Sequence, residues 1–299
     1  MERTRIRKTP DAILCSDMHL REDTPTCFTG DFQKEQWTAV DCITFVQMQY
    51  KCPVVHAGDL FHHWKPSPWL LSMAMQHLPD QFFSIYGQHD LPQHNWDLRD
   101  KSGIHTLEKA GKLVVLPRLH YGTKPEDFQY PEEIGIGDWI GIDKKILVWH
   151  HLTYTTKPFP GASDGMAAGI LRKYPQFDLI VTGDNHQAFT VEHEGRLLVN
   201  PGNLTRQTAD QIDFKPRVYL WYAETNTVVP AYLPIQENVI SRDHLIKTEE
   251  RDARIDAFVS RLDGDWKVGM SFEQNIEEFK QVNNIRESVM EIVYKAIET

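Results

Sequence analysis

The sequence has no paired-cysteine framework. Its 299 residues include four cysteines, Cys15, Cys27, Cys42 and Cys52, and none stands in CxxC spacing. Cys15 and Cys42 sit within apolar segments, so reduced, buried thiols of a cytoplasmic protein are expected rather than a disulfide scaffold or a zinc site. Long apolar runs are missing too: none approaches the roughly 20 residues that span a bilayer. The opening stretch Met1–Pro10 carries Arg3, Arg5, Arg7 and Lys8 with no apolar core behind them, which does not read as a secretory leader. Positive charge is in deficit, with 32 Lys+Arg against 42 Asp+Glu and a formal net charge of −10. That balance argues against broad electrostatic attraction to nucleic acid, although bound divalent cations would reverse the sign locally. No internal repeat or low-complexity tract is evident. What remains, 41% hydrophobic and 25% charged residues, is the composition of a soluble globular protein, long enough for one large domain plus an appendage.

Apolar runs at Ala12–Cys15, Val54–Val55, Ile146–Trp149 and Leu179–Val181, with the less pure Phe82–Tyr86, read as buried strands. Trp37–Met48 and Leu70–Leu78 carry mixed apolar periodicity that fits helices packed on a sheet. Arg196–Val199, Val218–Ala223 and Val228–Leu233 read as strands that close the domain. Strands alternating with helices predict an α/β fold. Between them, Pro117–Gly141 is rich in Gly, Pro and acid and reads as irregular loop with short strands. From Thr248 onward, Ile255, Phe258, Val259 and Leu262 stand at helical spacing before Asp263-Gly264, a glycine stop. Ser271 and Gln274 resemble a capping box ahead of Ile276, Phe279, Val282, Ile285, Val289, Ile292 and Val293, the stripe of a long amphipathic helix. The expected division is a domain over 1–236 and a helical segment over 237–299. That segment either packs on the chain's own core or docks a partner or a second copy. With 13 Asp+Glu against 9 Lys+Arg from Ser241 onward, it is poorly suited to gripping DNA.

The chemistry sits where the strands end. Asp17-x-His19, Gly58-Asp59, Gly87-Gln88-His89-Asp90, His150 and Gly183-Asp184-Asn185-His186 follow one another along the chain, four of them after an apolar run and Gly87 after the less pure Phe82–Tyr86. In α/β sheets, ligands gather outside the carboxyl ends of the strands. Carboxylates mixed with imidazoles suit a pair of divalent metals, and such sites mostly serve phosphate-ester chemistry. Any one of these residues alone is as readily a structural hydrogen bonder; the ordered set is what points to metal. Asp59 is the natural bridge, because its two oxygens can serve two cations. His89 is either a proton donor to the leaving oxygen, with Asp90 orienting its ring, or one more ligand. His151 is the alternative to His150, but strand alternation points the two in opposite directions. His62, His63 and His94 read as substrate-groove or plain loop residues, and Trp64, Trp69 and Trp96 as base-stacking or packing residues. Arg206 meets either a phosphate or a structural salt bridge.

Together these segments resemble the calcineurin-like metallophosphoesterase superfamily. Within it, the chain is similar to SbcD-type DNA repair nucleases and their archaeal and eukaryotic meiotic-recombination counterparts. Gly58-Asp59-Leu60-Phe61-His62 followed by Pro66-Ser67-Pro68 matches their GDLF-x-x-x-x-PSP signature, and Asn200–Arg206 resembles their PGS-x-x-R turn. The resemblance runs from about Ala12 to Pro234. It implies a four-layered α/β/β/α sandwich with a small helical C-terminal segment. It also implies two divalent ions, manganese or else magnesium, and cleavage of DNA phosphodiesters by a metal-activated water. Asp17, His19, Asp59 and His186 would hold one metal; Asp59, Gln88, His150 and Asp184 the other; His89 takes the proton-donor position. An SbcC-type ABC ATPase docking on the helical segment, or a homodimer, would be the partner besides DNA. The family usually has Asn at Gln88 and His at Asp184. Both replacements offer an oxygen donor; Gln88 is one methylene longer than Asn, and Asp184 leans the second position toward harder ions. Two other classes stay open: a small-molecule phosphodiesterase or phosphatase, and a scaffold with a weakened second metal position.

Overall fold

Strand β1 (Ala12–Cys15) shows how two cores arise from one short segment. Its side chains alternate across the sheet, so Ile13 and Cys15 enter one buried cluster while Ala12 and Leu14 enter another. β2 (Val54–His56) divides in the same way, Val54 to the first and Val55 to the second. The computed structural model describes residues 9–116, 143–157, 165–243, 251–252, 254–255 and 272–297. The expected loop over Pro117–Gly141, the Asp263-Gly264 helix stop and the cap at Ser271 lie outside the described residues; of the helix expected before that stop, 251–252 and 254–255 are described and helical.

The first cluster is closed by α1 (Phe32–Tyr50), α2 (Pro68–His77) and α3 (Gly103–Lys109) through Val40, Ile43, Leu70, Ala74, Ile104 and Leu107. Asp31 caps α1 by accepting the Lys34 N–H, and Ser67 caps α2 by accepting the Leu70 N–H with Pro68 in the first turn. The Pro-Ser-Pro stretch is thus a helix start, since proline's missing N–H is no loss there. The second cluster lies between two sheets. One has strand order β10-β9-β1-β2-β3-β4 and the other β5-β6-β8-β7. In the first, β1, β2, β3 (Phe82–Ser84) and β4 (Val114–Val115) are parallel; β9 (Arg217–Tyr222) and β10 (Thr227–Tyr232) run antiparallel along its edge. In the second, β5 (Ile146–Trp149), β6 (Leu179–Thr182) and β8 (Arg196–Asn200) are parallel, and β7 (Phe189–His193) is antiparallel to β8. A third cluster joins Leu147, Ile180 and Leu198 to α4 (Ala167–Lys173) on the outer face. Helix, sheet, sheet and helix make the four-layered α/β/β/α sandwich that the resemblance implied.

The chain divides into two compact units, Met1–Ser241 and Arg242–Thr299. Residues just past 236 stay with the first unit: the Val239 carbonyl accepts the Thr29 N–H at 2.8 Å, and Ser241 N–H donates to the Cys27 carbonyl at 2.7 Å. The second unit corrects the single long helix expected around Ile276–Val293. Two helices form, α5 (Phe272–Asn283) and α6 (Glu287–Ile297). Asn284, at φ 53°, takes the left-handed turn, and Ile285 N–H closes back on the Lys280 carbonyl at 3.1 Å. Asparagine tolerates that conformation, so it ends a helix whose apolar stripe alone would have continued. Lys280 with Glu287, and Tyr294 with Glu277, bond across the pair at 3.0 Å each.

Candidate metal centre

Five strand ends meet at one place. Asp17 and His19 follow β1, Asp59 follows β2, and Gln88–Asp90 follow β3; His150 follows β5, and Asp184 and His186 follow β6. Backbone bonds lace the first two loops together: Asp17 N–H to the Gly58 carbonyl at 3.0 Å, His19 N–H to that of Asp59 at 3.0 Å and Leu20 N–H to that of Leu60 at 2.9 Å. Across the two sheets, Asp184 N–H donates to Asp17 Oδ1 at 3.0 Å. Asp17, His19, Asp59 and Asp184 all hold left-handed backbone, with φ of 46°, 43°, 56° and 70°. Strain of this kind, of order 1–3 kcal/mol per residue, persists where the surroundings over-determine it, and it gathers at functional sites.

The donors then face one another. His19 Nε2 stands 3.3 Å from His186 Nε2, 3.7 Å from Asp59 Oδ2 and 4.0 Å from Asp17 Oδ1. His150 Nε2 stands 3.2 Å from the same Asp59 Oδ2 and 3.9 Å from Asp184 Oδ1. A single carboxylate oxygen therefore lies between two imidazole nitrogens. His150 donates Nδ1–H to the Ala57 carbonyl at 2.8 Å, which fixes the tautomer and leaves Nε2 to bind. Asp17 Oδ2, Asp59 Oδ2 and His150 Nε2 are buried without a hydrogen-bond partner. Buried groups of this kind demand an explanation, and divalent cations fit the donor set: Asp17, His19 and His186 form one group and Asp17, Asp59 and His150 another, with ligand atoms within 4.8 Å of one another.

Charge supports that fit. Burial pushes the Asp17 carboxyl up to about 7, against the opposing pull of His150. Burial likewise holds His19 well below its ordinary value and lowers His186, which favours the neutral imidazole that a metal requires. Burial would also lower His150, yet its contacts with Asp59 and the charge of Asp17 carry it up to about 10. The charge that favours a proton there favours a cation. Gln88 and Asp184 close on each other at the rim, the Gln88 amide N–H donating to Asp184 Oδ1 at 2.8 Å. Its amide oxygen is then the atom available to a cation.

His89 donates its backbone N–H to Asp59 Oδ1 at 2.9 Å, and its Nδ1 bonds the His62 carbonyl at 2.9 Å. Its ring lies 4.9 Å from that of His19. Asp90 does not orient this ring. Its buried carboxylate instead accepts the backbone N–H groups of Leu60, Phe61 and Gly87 at 3.0–3.1 Å, bracing the Asp59 loop against the His89 loop. His62 comes closer to the centre than its groove reading implied, with its ring 5.6 Å from His89 and 5.8 Å from His19. His151 stacks flat on Trp149 at 4.1 Å, while His150 faces Asp59. His94 sits exposed on the turn Pro92–His94, outside the cluster.

Arg206 is the clear correction among the expected substrate contacts. It is 3% exposed, pairs with the buried Glu35 at 3.5 Å and donates to the Gln236 carbonyl. Arg206→Ala would leave the buried Glu35 without its counter-charge, held only by the Gln236 N–H, so denaturant unfolding should show a loss of about 3–5 kcal/mol. A raised KM with unchanged stability would restore the phosphate reading. The Ala57 and His62 carbonyls left no trace in the sequence, because any residue supplies a carbonyl; only the histidines they hold were visible.

Gly87 is where two of the loops touch. A Cβ there would meet Asp59 Oδ1 at 2.1 Å and Asp59 N at 2.4 Å. Gly87→Ala is expected to displace Asp59, so manganese stoichiometry should fall below that of the wild type while the circular dichroism spectrum stays native. Full stoichiometry would show that the loops yield.

A model of the family described as calcineurin-like phosphoesterase matches residues 12–188. Two curated relatives are each described as DNA double-strand break repair protein Mre11. The Haloferax volcanii protein is 31% identical over 175 residues, 56% of this chain and 38% of the relative. The Halobacterium salinarum protein is 28% identical over 176 residues, 56% of this chain and 44% of the relative. The chain thus spans less than half the length of these relatives. Among solved structures, an archaeal phosphodiesterase is 14% identical, with a TM-score of 0.43 over 74% of this chain and 99% of its own.

Proposed function

Because the chain belongs to the calcineurin-like phosphoesterase family, we propose that it is a metal-dependent nuclease that hydrolyses DNA phosphodiester bonds. The observation that carries the reading is Asp59 Oδ2, set 3.7 Å from His19 Nε2 and 3.2 Å from His150 Nε2. Asp17, His19, His186 and Asp59 would hold one divalent ion; Asp59, His150, Asp184 and Gln88 would hold the second. Oxygen-rich donors suit manganese or magnesium. When bound, such a pair supplies positive charge to the phosphate and a nucleophilic water at neutral pH.

The chain's own residues do the rest. Ala57 keeps His150 in its binding tautomer, and Asp90 holds the Asp59 and His89 loops in register. With Nδ1 bonded to the His62 carbonyl, His89 as an imidazolium hands a proton from Nε2 to the leaving oxygen. DNA as substrate is supported by the two Mre11 relatives and by the Gly58–His62 and Pro66–Pro68 stretches. The helical unit 242–299 is the proposed seat of a partner, an SbcC-type ATPase or a second copy. The described residues contain no helix long and apolar enough to cross a membrane.

The test is cleavage of end-labelled linear DNA beside bis(4-nitrophenyl) phosphate, with manganese, magnesium or chelator. Manganese-dependent DNA cutting is the expected result. Ester turnover with intact DNA would replace the nuclease with a small-substrate phosphodiesterase. Inertness toward both would leave a scaffold, the reading that the Gln88–Asp184 bond favours if it keeps the second ion out.

A further inference from the structure

One positively charged side chain beside this centre is used by none of the roles above. Arg21 lies two residues past His19. The bridge between Leu20 and Phe61, and the bond from His62 N–H to the Leu20 carbonyl at 3.1 Å, set it beside His62, whose ring stacks 5.6 Å from His89. The guanidinium is held from below: Nη1 donates to Gln207 Oε1 at 3.4 Å, and Gln207 is tied to Thr205 Oγ1 at 3.0 Å and to the His19 carbonyl at 3.4 Å. Its remaining edge is taken by Asp23, through Nε to Oδ1 at 2.9 Å and Nη2 to Oδ2. The Arg21 side chain is 15% exposed and that of Asp23 is 68% exposed, so the acid covers the arginine from the solvent side.

Three points give this pair a use. A guanidinium fork engaged edge-on by a carboxylate presents the geometry that also receives two phosphate oxygens. Asp23 is the exposed member of the pair, so an incoming phosphate meets it from the solvent side. The chain carries a net charge of −10, so a polyanion needs cations placed locally at the site rather than spread over the surface. Burial first, and then the charge of Arg21, hold the His62 pKa down to about 4, with Asp23 acting the other way; both charges are therefore felt at the ring next to His89.

We propose that Arg21 grips a phosphate of the nucleic acid flanking the scissile bond, and that Asp23 is an internal competitor occupying the guanidinium until substrate displaces it. The inference rests on the DNA reading above and adds a positioning pair to it. Its signature is two changes of opposite sign.

The experiment measures kcat and KM for labelled linear DNA and for bis(4-nitrophenyl) phosphate, with manganese and the full chain. Arg21→Ala should raise KM for DNA about tenfold, with Arg21→Lys in between. It should also flatten the dependence of log KM on log salt by about one unit. Asp23→Asn should lower KM for DNA. The ester has one phosphate, so the ratio of the two KM values should move in both variants, upward in the first and downward in the second. An unchanged or raised DNA KM in Asp23→Asn overturns the proposal. So does an Arg21→Ala effect that is equal on both substrates, which marks a structural role. Wild-type protein that turns over the ester but not DNA overturns the nuclease reading and this inference together. DNA cleavage with an unmoved KM ratio overturns the inference alone.

Discussion

Asp59→Ala is expected to abolish phosphodiester cleavage, by about 10³-fold or more (about 4 kcal/mol of transition-state stabilisation), and to prevent tight binding of two ions. The reason is the position of one atom. Asp59 Oδ2 is the only acceptor placed within 4 Å of both His19 Nε2 and His150 Nε2 among the described ion pairs, so its loss would remove a donor from both proposed metal positions at once. Its Oδ1 also receives the His89 N–H, so the loop that carries the proposed proton donor should loosen with it. A ligand serving one ion would behave differently: His186→Ala should weaken one ion and leave the other. Measured together, turnover and metal content separate a bridge from a single-site ligand. Retention of two tightly bound ions in Asp59→Ala would show that Asp59 is not the bridge.

His89→Ala gives the second large effect, and here chemistry and metal content should part. General acid catalysis contributes typically about 10²–10⁴-fold, and kcat should fall by that amount with both ions retained. The bond between His89 Nδ1 and the His62 carbonyl fixes which nitrogen is left to deliver the proton. A leaving group that needs no proton, such as nitrophenolate, should be cleaved with a much smaller loss than DNA. The competing role, His89 as one more ligand, is raised by the group His19, His62 and His89, whose nitrogens also lie within 4.8 Å of one another. Loss of an ion in His89→Ala would favour that role over proton transfer.

The residues at the centre were legible because strand ends and ligand types coincide in the sequence. A short apolar run ending in Asp, His or Gly carries its own address, and Asp17, His19, Asp59, His150, Asp184 and His186 all follow such runs. Strand-end placement favoured His150 over His151, and the two side chains do part, His150 toward Asp59 and His151 onto Trp149. Roles set by three-dimensional neighbours were not legible. Asp90 stands next to His89 in sequence, yet its carboxylate turns to three backbone N–H groups of other residues. Arg206 follows a Pro-Gly turn as a phosphate-binding residue would, but Glu35, distant in the chain, takes its charge. The break between α5 and α6 was hidden by an unbroken apolar stripe, because a left-handed asparagine interrupts a helix without disturbing its periodicity. The mutual bond of Gln88 and Asp184 joins two substitutions that lie 96 positions apart in sequence.

The central claim is that one carboxylate joins two metal positions into a single centre. Electron paramagnetic resonance during titration of the metal-free protein with manganese tests it most directly. Two manganese ions bridged by Asp59 should bind per chain and give the spectrum of an exchange-coupled pair, which Asp59→Ala should lose. One ion per chain, or two that remain magnetically independent, would contradict the bridge on which the account of catalysis rests.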